Sequence, residues 1–299
     1  MSPAAPSPAS PPARASLAAD ELPHAVGSTL PKRRGPLADL LAFRQLIAVL
    51  VVRELKVRYK RSLFGMLWTM LNPLLLMIVY TVVFTAIMPS PQPDFSIWLL
   101  SGILPWIFLS TALMQGMTSV LTNQDLIRKV RLPQAVFPLS VVGSNLVNFL
   151  LSLLPLFLVM LVIGHPLRPA LLFLPVAALL LTLFASGVTL ALASATVFFR
   201  DVRHLTEVLL QLLFYLSPVL YDVTQVAGGS KDAWWKPLFL AELQLNPVTY
   251  LLPLVRDPVY SGALPPLATV AIASACSAAA LALGFTLFTR LEPRHIHHF

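Results

Sequence analysis

VFPLSVVGSNLVNFLLSLLPLFLVMLVIG, residues 136–164, decides the fold class. The run carries no charge over its whole length. At about 1.5 Å per residue, a helix built from it is long enough to cross the roughly 30 Å hydrocarbon core of a bilayer. A helix that is apolar on every side has to be surrounded by lipid or buried in a large core. The whole chain tips the choice to lipid: 57% of its 299 residues are hydrophobic, 11% are charged and the mean hydropathy is +0.78. Soluble domains hold about 45–50% apolar and about 25% charged residues, so a soluble globular protein is excluded.

Outward from that run, four more stretches are free of charge and long enough to span: 64–88, 97–120, 169–199 and 265–289. A sixth, 205–221, reaches only about 25 Å and needs a protein-lined setting or help from its flanks. The six runs contain a single charged residue, Glu207. The predicted fold is an all-α membrane protein whose six transmembrane helices occupy residues 62–291. Of the 21 Lys and Arg residues, 17 fall in the N-terminal region, 121–135, 200–204 and the C-terminus, and four fall in the other three loops. Cations concentrate on the cytoplasmic side, so both termini are expected there. Residues 1–36 hold eight of the 27 prolines among Ala and Ser. They read as a disordered Pro/Ala-rich tail without the apolar core of a signal peptide. Residues 292–299 read as a short cytoplasmic tail.

Residues 37–61 are neither tail nor span. Leu40, Leu41, Ile47, Leu50, Val51 and Leu55 recur at helical spacing, with Arg44, Arg53, Lys56, Arg58, Lys60 and Arg61 between them. The pattern fits an amphipathic helix lying in the cytoplasmic interface; the competing reading is an extended basic flank that only obeys the charge bias. The last external loop, 222–264, carries Trp234, Trp235, Phe239 and Tyr250 around Asn246 and Pro247. It is expected to form two short helices, about 233–243 and 248–256, re-entrant or interfacial, or else to be a simple aromatic belt.

Chemistry of the chain's own is sparse. Gly228, Gly229, Ser230 and Lys231 lack the spacing and the strand of a phosphate-binding loop, so this chain is no ATPase, and no enzyme is expected. The lone Cys276 excludes an intrachain disulfide and a thiolate metal cluster. His295, His297 and His298 read as a solvated tail, and no metal site is expected. The net charge of +8, gathered in segments flanking spans, suits anionic membrane lipids and not nucleic acid. Within the runs, polar residues repeat at a spacing of four: Ser140, Ser144, Asn148 and Ser152; Thr111, Gln115 and Ser119; Glu207, Gln211 and Tyr215. Each set gives a span one wettable face, used for hydrogen bonding to a neighbour or for lining an aqueous path. Small residues at 185, 187, 191 and 195, and at 274, 275, 278, 279 and 282, fit close helix packing or a dimer seam.

The string RELKVRYKRSLFGMLWTMLNP at 53–73 closely resembles the opening of permease subunits of bacterial ATP-binding-cassette exporters for polysaccharides, the family handling O-antigen, capsule and teichoic acid. LPWIFLSTAL at 104–113, NQDLIRKVRLP at 123–133, FFRDVRHLTEVLLQLLFYLSPVLY at 198–221, LNPVTYLLPLVRDPVYSG at 245–262 and LEPR at 291–294 agree in order. The resemblance covers about residues 40–294; the proline-rich tail and the HIHHF ending depart from it.

The resemblance implies a subunit of the bacterial inner membrane that pairs with a second copy of itself and with two copies of a separate P-loop ATPase. That partner would carry ATP and Mg, with no cofactor in this chain. It also implies a channel for a polyprenyl-linked glycan. Residues 123–133, with Asn123, Asp125, Arg128, Lys129 and Arg131, correspond to the segment that couples to the ATPase, and the loop with Trp234 and Trp235 to an external gate. Arg53, Lys56, Arg58, Lys60 and Arg61 form the dense cation cluster where an anionic headgroup can enter. Tyr59, Trp68, Tyr80, Phe214 and Tyr215 supply aromatic faces for a sugar path. Competing readings are an exporter of a drug or simple lipid, a passive channel, and an intramembrane polyprenyl-sugar enzyme. The last needs converging ionisable residues, and the spans supply only Glu207.

Overall fold

In hydrocarbon every backbone N–H and C=O has to be paired within the protein, and a long charge-free run without alternation does so as a helix. A computed structural model of the protein describes residues 42–60, 65–83, 93–129, 132–223 and 234–295, and all regular elements among these described residues are helical. They are α1 (Arg44–Tyr59), α2 (Trp68–Val82), α3 (Phe95–Gly116), α4 (Ser119–Thr122), α5 (Gln124–Lys129), α6 (Val136–Ile163), α7 (Leu174–Phe198), α8 (Val202–Leu216), α9 (Lys236–Leu245), α10 (Val248–Ser261) and α11 (Leu267–His295).

Four are long and apolar enough to cross a membrane: α3, α6, α7 with its lead-in from Pro169, and α11. They match the expected runs at 97–120, 136–164, 169–199 and 265–289 to within a few residues at most ends. A fifth candidate is the pair α9 and α10, bent by 68° where they meet. The other two expected spans are shorter than a bilayer core among the described residues: α2 and α8 have 15 residues each, about 22 Å. Residues 84–88 of the first expected run lie outside the described residues. The run expected to reach Tyr221 stops at Leu216, because Ser217 turns to extended backbone ahead of Pro218.

The most extensive helix pairing is α7 with α11. α11 buries one stripe, Ala273, Ser277, Gly284, Phe288 and His295, at spacings that return to one face of a helix. At the crossing, a Cβ on Gly284 would run into the Gly187 carbonyl, and one on Gly187 into the backbone of Ala280. The two backbones therefore touch, as a small-residue seam allows. α3 is the most enclosed helix: Leu104, Phe108 and Ala112 pack with Phe149 and Leu156 of α6 and Leu181 of α7.

Residues expected to form the interfacial element are helical over α1, which runs along α6. Leu50 is buried, and Val51 lies against Gly143. On its exposed side Val49, Val52 and Val57 stand among Arg53 and Lys56, so cations and apolar groups share one face instead of segregating. The expected Pro/Ala-rich tail lies outside the described residues, as do Arg61, Arg131, His297 and His298.

Two sequence expectations change at the ends. The tail expected from residue 292 continues α11 as helix through His295, and His295 is fully buried, not solvated. The reason is packing: its ring meets those of Phe198 at 5.5 Å and Phe288 at 5.4 Å, both edge-on. In the loop predicted to be external, the expected pieces 233–243 and 248–256 become α9 and α10. Asn246 sets the bend between them, donating to Ser217 Oγ at 2.9 Å and accepting from the Val248 N–H at 3.0 Å.

Candidate functional site

Gly65 precedes α2 with φ +49 and open space around it, so its backbone conformation, not crowding, requires glycine. Near it the end of α1 and the start of α2 face α3 and α6, and the four elements enclose a cavity of about 390 Å³. Arg58, Tyr59, Trp68 and Asn72 line it from one side, with Thr111, Asn145, Asn148 and Ser152 among the residues opposite. Buried Pro73 removes a backbone donor within α2.

Two neighbouring residues of α1 hold this arrangement together. Tyr59 donates its hydroxyl to Asn148 Oδ1 at 2.8 Å. Arg58 Nη1 donates to Asn145 Oδ1 at 3.2 Å, and Nη2 donates to Gln115 Oε1. Asn145 Nδ2 in turn donates to Gln115 Oε1 at 3.1 Å and to the Val141 carbonyl at 2.9 Å. Asn145 and Asn148 lie about 14 and 18 Å along α6 from its first residue, well inside the apolar part of the helix. The partners of the guanidinium are neutral amides, and no carboxylate among the described residues lies within 4.0 Å of it. Its charge is thus solvated but not cancelled, and the cavity mouth is positive. A guanidinium offers planar, paired donors to phosphate or carboxylate oxygens, and the amide and hydroxyl groups beside it suit polar oxygens.

The predicted wettable faces are brought together only in part. Thr111, Asn148 and Ser152 reach the cavity and Gln115 joins its network. Ser140, Ser144 and Ser119 are buried and spend their hydroxyls on carbonyls three residues back in their own helices. Glu207, Gln211 and Tyr215 lie on the exposed side of α8, and no ion pair joins Glu207 to Arg203. Asn145 was missed because it sits three positions, not four, before Asn148; spacings of three and four share a helix face, and that was the available signal.

The predicted sugar-path aromatics fall into two groups. Tyr59 and Trp68 line the cavity. Tyr80 and Phe214 pack in a separate cluster with Phe95 and Trp98, about 18 Å further along α2 than Trp68. Phe214 lies 5.5 Å from Trp106, and Tyr215, 63% exposed, stands edge-on to Phe214. Of the predicted cations, Arg58 reaches the cavity, whereas Arg53, Lys56 and Lys60 line an open groove along α1 with Val49, Val52 and Val57.

In the segment predicted to couple, α5 starts just after Asn123, whose carbonyl accepts from Leu126 and Ile127 and whose side chain donates to the Ser119 carbonyl. Ile127 is buried, so Asp125, Arg128 and Lys129 are left facing outward. At the other end, Trp234 is 87% exposed and Trp235 lies 6.0 Å from Phe239. Among the described residues no group of three or more His, Cys, Asp or Glu stands together to hold a metal.

A family model described as ABC-2 type transporter matches residues 45–260, which span every element from α1 to α10. The chain belongs to the ABC-2 type transporter family. An O-antigen export system permease protein, RfbA, of Myxococcus xanthus is 41% identical over 229 residues, 76% of this chain and 85% of that protein. A Klebsiella pneumoniae RfbA is 32% identical over 179 residues, 59% of this chain and 68% of its own. The polysialic acid transport protein KpsM of Escherichia coli is 23% identical over 223 residues, 72% and 81% of the two chains. As an ABC-2 member this chain is a transport permease, and its cavity, its cationic α1 and the outward face of α5 all lie inside the matched region.

Proposed function

We propose that the chain is the membrane subunit of an ATP-driven exporter that carries a lipid-linked, O-antigen-like polysaccharide from the cytoplasmic face across the inner membrane. Two copies would form the channel, with six spans each: α2 and α8 complete their crossings together with flanking or partner protein, and both termini face the cytoplasm. A separate P-loop ATPase, two copies per assembly, binds ATP and Mg and docks on α5. The observation that carries the substrate reading is Arg58, held by neutral amides at the positive mouth of a cavity edged by Tyr59 and Trp68. A pyrophosphate headgroup supplies the missing negative charge, and aromatic faces with amide donors suit the sugars behind it. The names of the relatives support a polysaccharide cargo.

Deletion of the gene should leave the lipid-linked glycan inside the cell, and the wild-type chain supplied in trans should return it to the surface. Intact surface polysaccharide in the deletion strain would sink the proposal. α1, with cations and valines on one exposed face, lies in this reading at the cytoplasmic lipid surface, where both kinds of group find partners.

A further inference from the structure

The described end of α11 grips the start of α6. Glu292 Oε1 accepts from the Gln134 backbone N–H at 2.7 Å, and the Glu292 carbonyl accepts from Gln134 Nε2 at 3.5 Å. His295 Nδ1 meets Gln134 Oε1 at 2.8 Å. An amide oxygen only accepts, so Nδ1 carries the proton and donates. Glu292 and His295, three apart, share one helix face and close on a single residue from two sides. Gln134 is buried, and it lies five residues after the last residue of α5, at the lip of α6 where helical N–H groups lack partners within their own helix. His295 also packs against Phe198, the last residue of α7, ahead of the turn at 199–201 that leads into α8. One short stretch of α11 thus joins the bases of α6 and α7, outside the region the family model matches.

We propose that Glu292 and His295 are positioning residues for coupling: they clamp Gln134 so that movement of α5 is passed to α6 and α7 as a unit. The clamp rests on the reading of α5 as the ATPase dock. Loss of the clamp should leave the ATPase bound and working but disconnected from transport, a coupling loss of about five-fold or more.

The test uses the full complex, expressed in a strain deleted for the gene. Readouts are surface polysaccharide per assembled complex, co-purification of the ATPase, and its hydrolysis rate. Glu292→Ala and His295→Ala are expected to cut surface polysaccharide at least about five-fold with assembly and hydrolysis near wild type. Glu292→Gln, which keeps an acceptor, and His295→Asn, which keeps a donor near Nδ1, are expected to restore it. Wild-type export in both alanine variants overturns the clamp, and so does loss of assembly in all four variants, which would make the contact structural only. Charge reversal at Arg128 and Lys129 is the parallel arm. If it uncouples while the alanine variants do not, the clamp alone fails. If it changes neither export nor hydrolysis, the docking role of α5 fails and takes the clamp with it.

Discussion

The Arg256 guanidinium carbon lies 4.2 Å from the centre of the Trp98 ring, and its two terminal nitrogens donate to the carbonyls of Pro218 at 2.7 Å and Val219 at 2.8 Å. Those carbonyls follow the end of α8, where no further helical turn supplies donors. One side chain of α10 thereby closes the backbone left open just after α8 and binds it to α3. Arg256→Met should cost about 2–3 kcal/mol, read as a lower unfolding temperature of the detergent-purified protein. Lysine should recover only part of it, lacking the planar fork that reaches two carbonyls at once.

Arg58→Lys should lose most export while Arg53→Lys keeps it. The lysine ammonium cannot span Gln115 and Asn145 in the same geometry, whereas Arg53 sits in an open groove and needs only its charge. Surface polysaccharide at matched protein levels reads the difference. Equal losses at Arg53, Lys56, Arg58 and Lys60 would reduce the cluster to lipid attraction.

Gly284→Leu should prevent folding of the α7–α11 pair, because its side chain would have to occupy space held by the Gly187 backbone. Overpacking elsewhere costs about 1–3 kcal/mol when neighbours yield, and here a main chain has to move. Recovery of monodisperse protein by size exclusion should fall sharply. By contrast Gly65→Ala, with open space but a left-handed backbone, should cost only about 1 kcal/mol.

Alanine at Trp68, Tyr80, Phe214 and Tyr215 together should slow export without loss of assembly, and the pair Trp68 and Tyr80 should account for most of the effect if the sugar chain runs along α2. Unchanged export in the quadruple variant would move the path elsewhere.

In a Cys276-free background, single cysteines at 94 and 230 should react with an impermeant thiol reagent from outside intact cells, and one at 128 only after permeabilisation. Reaction of 94 or 230 from the cytoplasmic side alone would reverse the orientation.

The long spans were legible because lipid imposes one rule along runs of 24–31 residues, and a charge-free run states that rule directly. α8 was harder: its apolar run continues past the point where Ser217 closes the helix. Site chemistry was legible as residue type but not as partnership. Ser140 and Asn148 belong to the same stripe, yet one bonds its own helix and the other receives Tyr59, a choice made by where α1 lies. Arg256 counted in the sequence as one more cation of an external loop; only the 68° bend between α9 and α10 brings it under Trp98. His295 looked solvated because the two rings and the amide that surround it come from residues remote in sequence or from an earlier turn of its helix.

The meeting of main chains at Gly187 and Gly284 has a mechanical consequence. Between most helices a layer of side chains separates the main chains, and rotamer changes in that layer can take up part of a tilt. Here that layer is missing, so the crossing of α7 and α11 is a point where main chain bears directly on main chain. α11 reaches from α10, which it touches, to the start of α6. A displacement at either end of that 29-residue bar, about 44 Å long, arrives at the other with little play.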